Sequence, residues 1–365
     1  MVQETLISNS ITTETPAALG FRMPAEWDRH EATWIGWPHN PTDWPGKIEP
    51  IHWVYGEIVR QIADGEIVRI LVNSKRHESR ARSVLKSVGV NSRRVEFFEF
   101  PTNRGWARDS GPIFVRRDRK PRQVAIVRFR FNAWAKYSDW KKDATVPEKA
   151  ARALKLPAFC ARIDGKEFVL EGGAIDVNGN GTLMTTEECL LDTKVQVRNP
   201  GFSRTEIEGA LRANLGVKNI LWLKDGIAGD DTHGHVDDLC RFVNDNTVLL
   251  CRETTSRDAN YRRLEENRER LEGMRLENGA KIHVIPIPMP SPVIFERQRL
   301  PASYANFYIS NRAVIVPTFN DLKDRQALGL LAELFPDRKV VGIHAVDLVW
   351  GLGTLHCLTQ QQPAR

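Results

Sequence analysis

Two carboxylates of this chain, Glu171 and Asp237, hold the same position relative to two similar β-hairpin patterns. Each acid lies seven residues before the asparagine at the centre of its hairpin, Asn178 or Asn244, and a third hairpin is centred on Asn311. These asparagines are 66 and 67 residues apart, which indicates that one strand–turn–strand unit recurs. Acids at equivalent points of such units are expected to face a common centre, where they suit a small, strongly cationic ligand.

Two further residues stand at the matching point of their own units. Asp109 lies seven residues before Arg116, just ahead of the turn-prone segment Asp118–Pro121. In the third hairpin the same position is taken by Tyr304 instead of an acid. We therefore expect Asp109 to join Glu171 and Asp237 at the common centre.

A thiol close to the C-terminus is a candidate nucleophile. Cys357 follows His356 and two glycines in the segment Gly351-Leu-Gly-Thr-Leu-His-Cys357, and glycines permit the tight turn that can display a side chain. The alternative is that Cys357 is a small buried hydrophobe, as most free cysteines are. The segment by itself leaves both interpretations open.

A second candidate is the polar segment from Gly229 to Asp238. If it is extended, His233, His235 and Asp237 point to one face because side chains alternate along a strand. They could then ligate a metal, or His235 could transfer protons while Asp237 binds positive charge. A purely structural polar turn is the third interpretation.

The elements that would position these groups alternate between strand and helix patterns. Strands are predicted at 66–72, 94–100, 123–131, 219–223, 281–287 and 339–346, and helices at 54–63, 74–85, 147–154, 205–215, 257–272 and 321–334. This alternation predicts an α/β fold. With a repeat near 66 residues, 365 residues hold five units plus terminal extensions, which favours a propeller-like ring over a doubly wound sheet.

Composition narrows the class of protein. The net charge is only +6, and 52 Lys and Arg are dispersed among 46 Asp and Glu, which argues against a nucleic-acid binder. Five scattered cysteines without a CxxC pair argue for a reducing compartment, so we expect a cytoplasmic protein. The sequence shows no secretory signal and no membrane span. We predict a flexible segment over 1–20 and one catalytic domain over 21–365.

From about residue 21 to the end, the chain resembles the agmatine deiminase family, relatives of the Porphyromonas-type peptidyl-arginine deiminase. The matching segments occur in the same order; they are Met23-Pro-Ala-Glu-Trp27, His30-Glu-Ala-Thr-Trp-Ile-Gly-Trp37-Pro, Trp106-Ala-Arg-Asp-Ser-Gly-Pro112, Glu171-Gly-Gly, Thr185-Thr-Glu-Glu-Cys-Leu-Leu191, Gly234-His-Val-Asp237, Tyr304-Ala-Asn-Phe-Tyr308 and the Cys357 segment. The resemblance implies the pentein fold, a five-bladed α/β propeller. It also implies hydrolytic removal of ammonia from a guanidinium group, with no metal or organic cofactor.

The resemblance also implies a role for each matching residue. Cys357 would be the nucleophile and His235 the general acid and base. Glu171 would support the histidine and the substrate nitrogens, while Asp109 and Asp237 would hold the guanidinium. Two further residues complete the implied substrate site: an aromatic wall and a contact for the far end of the substrate, assigned to Trp106 and Asp231.

Agmatine, converted to N-carbamoylputrescine in polyamine metabolism, is the substrate that the resemblance favours. Peptidyl-arginine, free arginine or an alkylated arginine are alternatives, and a non-catalytic guanidine-binding protein is a further one. A homodimer is one expected state, since closed dimers are common among enzymes of this size. The chain departs from the family pattern at Arg104, which would disfavour a substrate with a second cation, at Leu352 and Thr354, and in an insertion at 192–198. We expect none of these departures to touch the chemistry directly.

Overall fold

The computed structural model describes residues 14–365. Residues 1–13 of the predicted flexible segment therefore lie outside the described residues. The rest of that segment is attached to the fold, because the Ala17 amide donates to the Ala213 carbonyl at 3.0 Å. The side chain of Leu19 also packs against a buried apolar cluster.

The helices agree with the sequence-based prediction to within a few residues, and short helices are added between them. In chain order, the α-helices of residues 14–365 are α1 Ile48–Ala63, α2 Lys75–Ser87, α3 Ala107–Ser110, α4 Val146–Leu154, α5 Glu187–Leu191, α6 Arg204–Leu215, α7 Ala259–Gly273, α8 Asp324–Leu334 and α9 Leu355–Leu358. Single turns of 3-10 helix occur at Ser92–Arg94, Ala133–Ala135, Asp143–Thr145, Gly172–Ala174, Val236–Asp238 and Leu348–Gly351.

The strands are short and mostly apolar. In chain order they are β1 His30–Gly36, β2 Ile67–Val72, β3 Val95–Glu99, β4 Ile113–Arg117, β5 Gln123–Arg128, β6 Ala158–Cys160, β7 Arg162–Ile163, β8 Lys166–Glu167, β9 Asp176–Val177, β10 Thr182–Thr186, β11 Asn219–Leu223, β12 Cys240–Phe242, β13 Thr247–Arg252, β14 His283–Pro288, β15 Ile294–Phe295, β16 Gln298–Arg299, β17 Tyr308–Ile309, β18 Ala313–Thr318, β19 Lys339–His344 and β20 Thr359–Pro363. All six strands predicted from the sequence are present.

Five sheets within residues 14–365 share one plan: a first strand runs antiparallel to a central strand, which runs parallel to a third strand. The five sheets are β20-β1-β2 (with β3 added at its edge), β4-β5-β6, β9-β10-β11, β12-β13-β14 and β17-β18-β19. The predicted hairpins are the antiparallel pairs, with Val177 opposite Leu183, Phe242 opposite Val248 and Tyr308 opposite Ile315. The doubly wound sheet is therefore not the fold of the described chain, which is α/β with several small sheets.

The last strand of the chain completes the first sheet. In β20, Gln360 lies opposite Trp34 of β1, and Thr359 lies opposite Ile35. This pairing holds both ends of the described chain in one sheet. It also fixes α9, which ends at the residue before β20.

A short helical turn precedes the first strand of four of the five sheets. The turns are α3 before β4, Gly172–Ala174 before β9, Val236–Asp238 before β12 and α9 before β20. They contact one another: α3 touches α9 and the 172–174 turn, which in turn touches the 236–238 turn. The fold thus brings equivalent points of four units together. The repeated spacing of the acids predicted this for the units of Asp109, Glu171 and Asp237, but not for α9.

Local sequence explains why the elements begin and end where they do. The Ser74 hydroxyl accepts from the His77 amide at the start of α2, and Ser203 and Glu206 form a reciprocal capping box at the start of α6. Gly216 ends α6 in a left-handed conformation with φ of 66°. No helix within residues 14–365 combines the length and the apolar composition needed to cross a bilayer.

The two glycines of the α6 region should respond oppositely to alanine. A Cβ at Gly216 would contact the Phe21 carbonyl and occupy a left-handed conformation, so Gly216→Ala should reduce the free energy of unfolding by about 1–2 kcal/mol. Gly209 lies inside the helix with open space around it, so Gly209→Ala should raise the free energy by about 0.5–1 kcal/mol. Urea unfolding followed by circular dichroism measures both; midpoints that shift in the same direction would contradict this account of the helix end.

Candidate active site

A cavity of about 260 Å³ lies where the short turns meet. Its inner end is lined by Cys357, Asp109 and Trp106, and its outer end by Asp231 and Arg104. The remaining lining residues are Thr42, Asp43, Pro45, Trp134, Tyr137, Thr232, Gln298, Trp350, Gly351 and Leu352. The cavity is of a size that suits a small molecule.

Cys357 is held at the cavity by the short helix α9 and is 3% exposed. The amide Nδ2 of Asn306 donates to its Sγ at 3.1 Å, and the Sγ lies 3.7 Å from Oδ2 of Asp237. Burial, followed by the negative charges of Asp237 and Asp238, raises the pKa of the Cys357 thiol well above its usual value. These surroundings favour the neutral thiol of Cys357 at neutral pH.

His235 is completely buried among three carboxylates. Its Nδ1 lies 3.8 Å from Asp109 Oδ1 and 4.0 Å from Asp237 Oδ1, and its Nε2 lies 3.7 Å from Glu171 Oε2. Burial works to lower the pKa of His235, but the charge of Asp109, with Cys189 and Glu171 close by, raises it well above the usual value. The ring is thus a cation at neutral pH, and neither ring nitrogen has a hydrogen-bond partner among the described residues.

Glu171 is ionised because a buried arginine faces it. The Nε of Arg198 lies 3.3 Å from Glu171 Oε1, and both side chains are inaccessible to solvent. Burial opposes the charge on Glu171, but Arg198 and His235 lower the pKa of the carboxyl to about 2. The other oxygen, Oε2, has no hydrogen-bond partner among the described residues.

Asp237 has one oxygen engaged and one free. Its Oδ2 lies 2.7 Å from Nδ1 of His356, while Oδ1 has no hydrogen-bond partner among the described residues. Burial works to raise the pKa of Asp237, but the hydrogen bond and charge of His356 lower it. Asp237 is therefore a carboxylate with a free oxygen beside the thiol.

Asp109 closes the other side of the group. Its Oδ2 accepts from Trp134 Nε1 at 2.8 Å and its Oδ1 accepts from the Gly173 amide at 3.1 Å. Burial, opposed by the charge of His235, raises the pKa of Asp109 to about 6. Gly173 has to be a glycine here, since a Cβ would lie 2.5 Å from His235 Nδ1 and 2.9 Å from Asp109 Oδ1.

The two residues assigned to substrate contact lie at different depths. The Trp106 ring is buried against Trp44, with ring centroids 5.3 Å apart, and forms a wall next to Cys357. Asp231 lies at the outer end, where its oxygens bond to Lys136 Nζ and, at 2.7 Å, to the Tyr137 hydroxyl. Asp231 therefore does not join the acids around the thiol.

The expectation that the departures from the family pattern avoid the site is wrong. Arg104 and Leu352 both line the cavity, and Arg198 pairs directly with Glu171. The segment 192–198 also binds the loop that carries His235, because Asp192 Oδ2 lies 2.7 Å from His233 Nε2. An insertion judged by its place in the sequence alone could not reveal this packing.

The charge of Arg104 is offset within the cavity wall. Its guanidinium pairs with Asp43 and with Asp139, the latter at 3.3 Å, and its carbon lies 4.3 Å from the centre of the Tyr137 ring. Burial raises the pKa of Asp43 to about 7 despite this pairing. Arg104 is thus part of an ion-pair network, and it does not present an isolated positive charge to a ligand.

Of the three interpretations of the 229–238 segment, the one in which His233, His235 and Asp237 together ligate a metal does not match the structure. The segment is not extended: His233 has a left-handed backbone with φ of 62°, and Val236–Asp238 is a helical turn. Groups of potential ligands within residues 14–365 occur as Glu171 with Cys189 and His235, and as Asp237 with Asp238 and Cys357. Neither group contains His233.

Three residues around the site were not singled out by the sequence patterns: Asn306, His356 and Arg198. Asn306 comes from the fifth unit, where Tyr304 instead turns away and donates to Asp324 Oδ1 at 2.6 Å. The Oδ1 of Asn306 accepts from the Thr354 hydroxyl and the His356 amide, so one side chain fixes the whole thiol-bearing turn. Asn306 lies in the segment Tyr304–Tyr308, which matches the family, and this match was the signal that could have identified it.

Known proteins with similar sequences are named as deiminases, the class that the sequence motifs indicated. The family model of the Porphyromonas-type peptidyl-arginine deiminase matches residues 22–363. A protein of Ectopseudomonas mendocina named agmatine deiminase is 36% identical over 376 residues, covering 96% of this chain and 98% of that protein. An agmatine deiminase of Pseudomonas aeruginosa is 37% identical with the same coverage.

Solved structures share the fold over nearly the whole chain. The agmatine deiminase of Enterococcus faecalis has a TM-score of 0.87 at 32% identity, covering 97% of this chain and 98% of that one. A cysteine-to-serine variant of C. jejuni agmatine deiminase with substrate bound has a TM-score of 0.81 at 30% identity, covering 94% and 96%. On these grounds, the chain belongs to the Porphyromonas-type peptidyl-arginine deiminase family.

Proposed function

We propose that this chain is an agmatine deiminase, which hydrolyses the guanidinium of agmatine to give N-carbamoylputrescine and ammonia. The observation that carries the proposal is the group of buried carboxylates around a thiol at the inner end of one cavity. The names of the relatives support agmatine as the substrate. Their similarity extends over nearly the full length of both chains.

The unpaired carboxylate oxygens indicate which kind of ligand the site would bind. Glu171 Oε2 and Asp237 Oδ1 are buried acceptors without a partner among the described residues, and an ionised acceptor without a donor is costly inside a protein. A guanidinium supplies several N–H donors in one plane and a positive charge to offset the acids. Bound between these oxygens, it would present its central carbon to the Cys357 sulfur.

Binding of the cation would also activate the thiol. The negative charges of Asp237 and Asp238 help to hold the Cys357 thiol neutral, and a bound cation counters those charges. The thiol would then pass its proton to solvent water through the cavity, leaving a thiolate against a planar cation, and the thiolate would take a proton back when the product leaves. In this scheme, binding of the substrate converts Cys357 to the thiolate that attacks it.

The chemistry would proceed through a covalent intermediate. The Cys357 sulfur adds to the guanidinium carbon, and the cationic His235 gives its proton to the departing nitrogen, so that a C–N bond breaks and ammonia leaves. A thiouronium on Cys357 remains. His235, now neutral, takes a proton from water as the water oxygen bonds to the carbon. The C–S bond then breaks, the thiolate returns, and the remaining hydroxyl proton leaves with ammonia as ammonium, giving the ureido product.

The outer end of the cavity favours an ammonium over a carboxylate. Asp43, Asp231 and Arg104 line this part of the cavity, and Asp139 and Lys136 pair with them from outside the lining. Burial raises the pKa of Asp43 to about 7, so at neutral pH two full and one partial negative charge face two positive charges. The far amine of agmatine would add a positive charge to this group, whereas the carboxylate of free arginine would add a further negative one. This charge count supports agmatine over free arginine despite Arg104.

We infer that the five equivalent sheets are the blades of a five-bladed α/β propeller, with the short turns facing its axis. The shared strand plan and the pairing of β20 with β1 support this arrangement. We also place the enzyme in the cytoplasm, since its five cysteines are all free. The homodimer and the single domain over 21–365 stay predictions, which sedimentation and limited proteolysis test.

A substrate panel tests the proposed function. Agmatine should release ammonia and a ureido product faster than free arginine, methylated arginines or a peptide with C-terminal arginine. Cys357→Ser should lower the rate with agmatine by at least about 10³-fold, because a hydroxyl is far less ionised and less nucleophilic than a thiol. Cys160→Ser, at a half-buried thiol outside the cavity, is the matched control and should keep the wild-type rate. No turnover of agmatine by the wild-type protein would reject the proposal.

The raised pKa of Cys357 predicts how the free enzyme reacts with alkylating agents. A thiol whose folded pKa is raised is protonated at pH 7, and its thiolate fraction increases only as the pH rises toward that pKa. Neutral iodoacetamide should therefore alkylate Cys357 slowly at pH 7 and faster at pH 9. Cationic chloroacetamidine, which resembles the guanidinium, should react at least about tenfold faster at pH 7. Mass spectrometry of the modified peptide measures both rates, and equal rates for the two reagents would oppose activation by a bound cation.

Lys136 should compete with the far amine of the substrate. Its ammonium pairs with Asp231 at the cavity mouth, so Lys136→Met should free this carboxylate and lower the KM for agmatine several-fold with little change in kcat. The size follows from an exposed ion pair, which is worth about 1 kcal/mol or less.

Two comparisons isolate this effect. The KM for butylguanidine, which lacks the amine, should stay unchanged in Lys136→Met. The exposed Lys141→Met should have no effect on either substrate. A similar change of KM for agmatine and butylguanidine would show that Asp231 does not bind the amine.

A further inference from the structure

His356, the residue before the proposed nucleophile, bridges two buried carboxylates. Its Nδ1 lies 2.7 Å from Asp237 Oδ2 and its Nε2 lies 2.7 Å from Glu26 Oε2. The residue is 2% exposed, so water cannot replace either partner. We propose that His356 is a cation whose hydrogen bond fixes the orientation of the Asp237 carboxylate for binding the guanidinium. The part of this inference that concerns the guanidinium rests on the proposed function.

The protonation state follows from counting donors. A neutral imidazole has one N–H, whereas two ionised carboxylates at hydrogen-bond distance need a donor from each ring nitrogen. If His356 were neutral, one of its nitrogens would face a carboxylate lone pair at 2.7 Å. That contact is repulsive unless the carboxyl itself holds a proton.

The surroundings of Glu26 disfavour a proton on that carboxyl. Its Oε1 accepts from the Ile309 amide at 2.9 Å and lies 3.0 Å from Nη2 of Arg241. Its Oε2 accepts from Nη2 of Arg108 at 3.2 Å. Burial works against ionisation, but the charges of Arg241, His356 and Arg108 lower the pKa of Glu26 well below its usual value. Glu26 is thus an acceptor at both oxygens.

The charges of the cluster balance when His356 is a cation. Three carboxylates are joined by close contacts to two arginines and this histidine; they are Glu26, Asp176 and Asp237, with Arg108, Arg241 and His356. A neutral ring would leave three buried negative charges facing two positive ones, and an uncompensated buried charge is strongly destabilising. The other titratable groups against the cluster are His235, Tyr308, His30, Cys357 and Asp238. The charge of His235 does not close the balance by itself, because the ring lies as close to Asp109 and Glu171 as to Asp237.

The bridge determines which oxygen of Asp237 is free. Because Oδ2 is held by His356, the plane of the carboxyl is fixed and Oδ1 stays without a partner on the side of His235. The backbone amide of His356 is also bound, by Oδ1 of Asn306 at 3.0 Å. One residue therefore couples the position of the carboxylate to the turn that carries the Cys357 sulfur.

Replacement of His356 by glutamine tests the positioning role. The amide offers N–H donors on one side only, so one of the two carboxylates loses its donor and Asp237 is free to rotate. We expect kcat/KM for agmatine to fall at least about 100-fold, mainly through KM. His30→Gln is the control: His30 is equally buried, between Glu66 Oε1 and the Glu26 carbonyl, and lies outside the cavity. It should change the thermal midpoint but alter the kinetics less than about threefold.

A spectroscopic measurement tests the charge independently of activity. In ¹⁵N-histidine NMR of the full-length protein at pH 7, the signals that vanish in His356→Gln should belong to a ring with both nitrogens protonated. If this variant does not fold, Glu26→Gln identifies the same ring, since the loss of one carboxylate should change the signal of the ring nitrogen that faces it.

The two measurements separate the inference from the proposed function. A cationic ring in a protein that does not turn over agmatine would reject the function and retain the charge assignment. A neutral ring would overturn the charge assignment. An unchanged KM in His356→Gln, while the wild type turns over agmatine, would overturn the positioning role, and neither result would reject the proposed function.

Discussion

The mutual repulsion of buried carboxylates is the constraint on which this site depends. Asp109, Glu171, Asp237 and Asp238 lie together in a volume that excludes water, where like charges repel strongly. Burial first, and the neighbouring carboxylates second, raise the pKa of Asp238 well above its usual value and, against the charge of His235, that of Asp109 to about 6. The pKa is lowered only for the two acids of this group that lie at hydrogen-bond distance from a buried basic side chain, Glu171 beside Arg198 and Asp237 beside His356.

Each of those cations engages one oxygen of its acid and leaves the other without a partner. The result is a pair of ionised oxygens, Glu171 Oε2 and Asp237 Oδ1, that the protein itself does not satisfy. Such a site is stabilised most by a planar cation with several N–H donors. Electrostatic preorganisation of this kind lowers the energy needed to bring a guanidinium against sulfur, because the surrounding groups need not rearrange.

The fold supplies the placement through repetition. The same short turn before the first strand of a sheet delivers Asp109, Glu171, Asp237 and Cys357, and the corresponding turn of the fifth sheet delivers Asn306 to the sulfur. Local spacing therefore predicted that Asp109, Glu171 and Asp237 would meet. It did not reveal Asn306, because its unit holds Tyr304 at the expected position and the contact depends on a loop two residues further along. Arg198 was missed for a similar reason: its segment was judged by its place in the chain, whereas its side chain reaches back across to Glu171.

The sequence by itself determined the strand and helix pattern, the recurring unit and the types of residue that could meet, because periodicity, turn residues and spacing act over a few neighbouring positions. The tertiary structure alone decided which charges are paired. The positive charge of Arg104 is offset for a cationic ligand because Arg104 pairs with Asp43 and Asp139. His356 bridges Glu26 and Asp237. These partners lie from 35 to 330 residues apart, and the strength of each pair depends on burial, which no local pattern encodes.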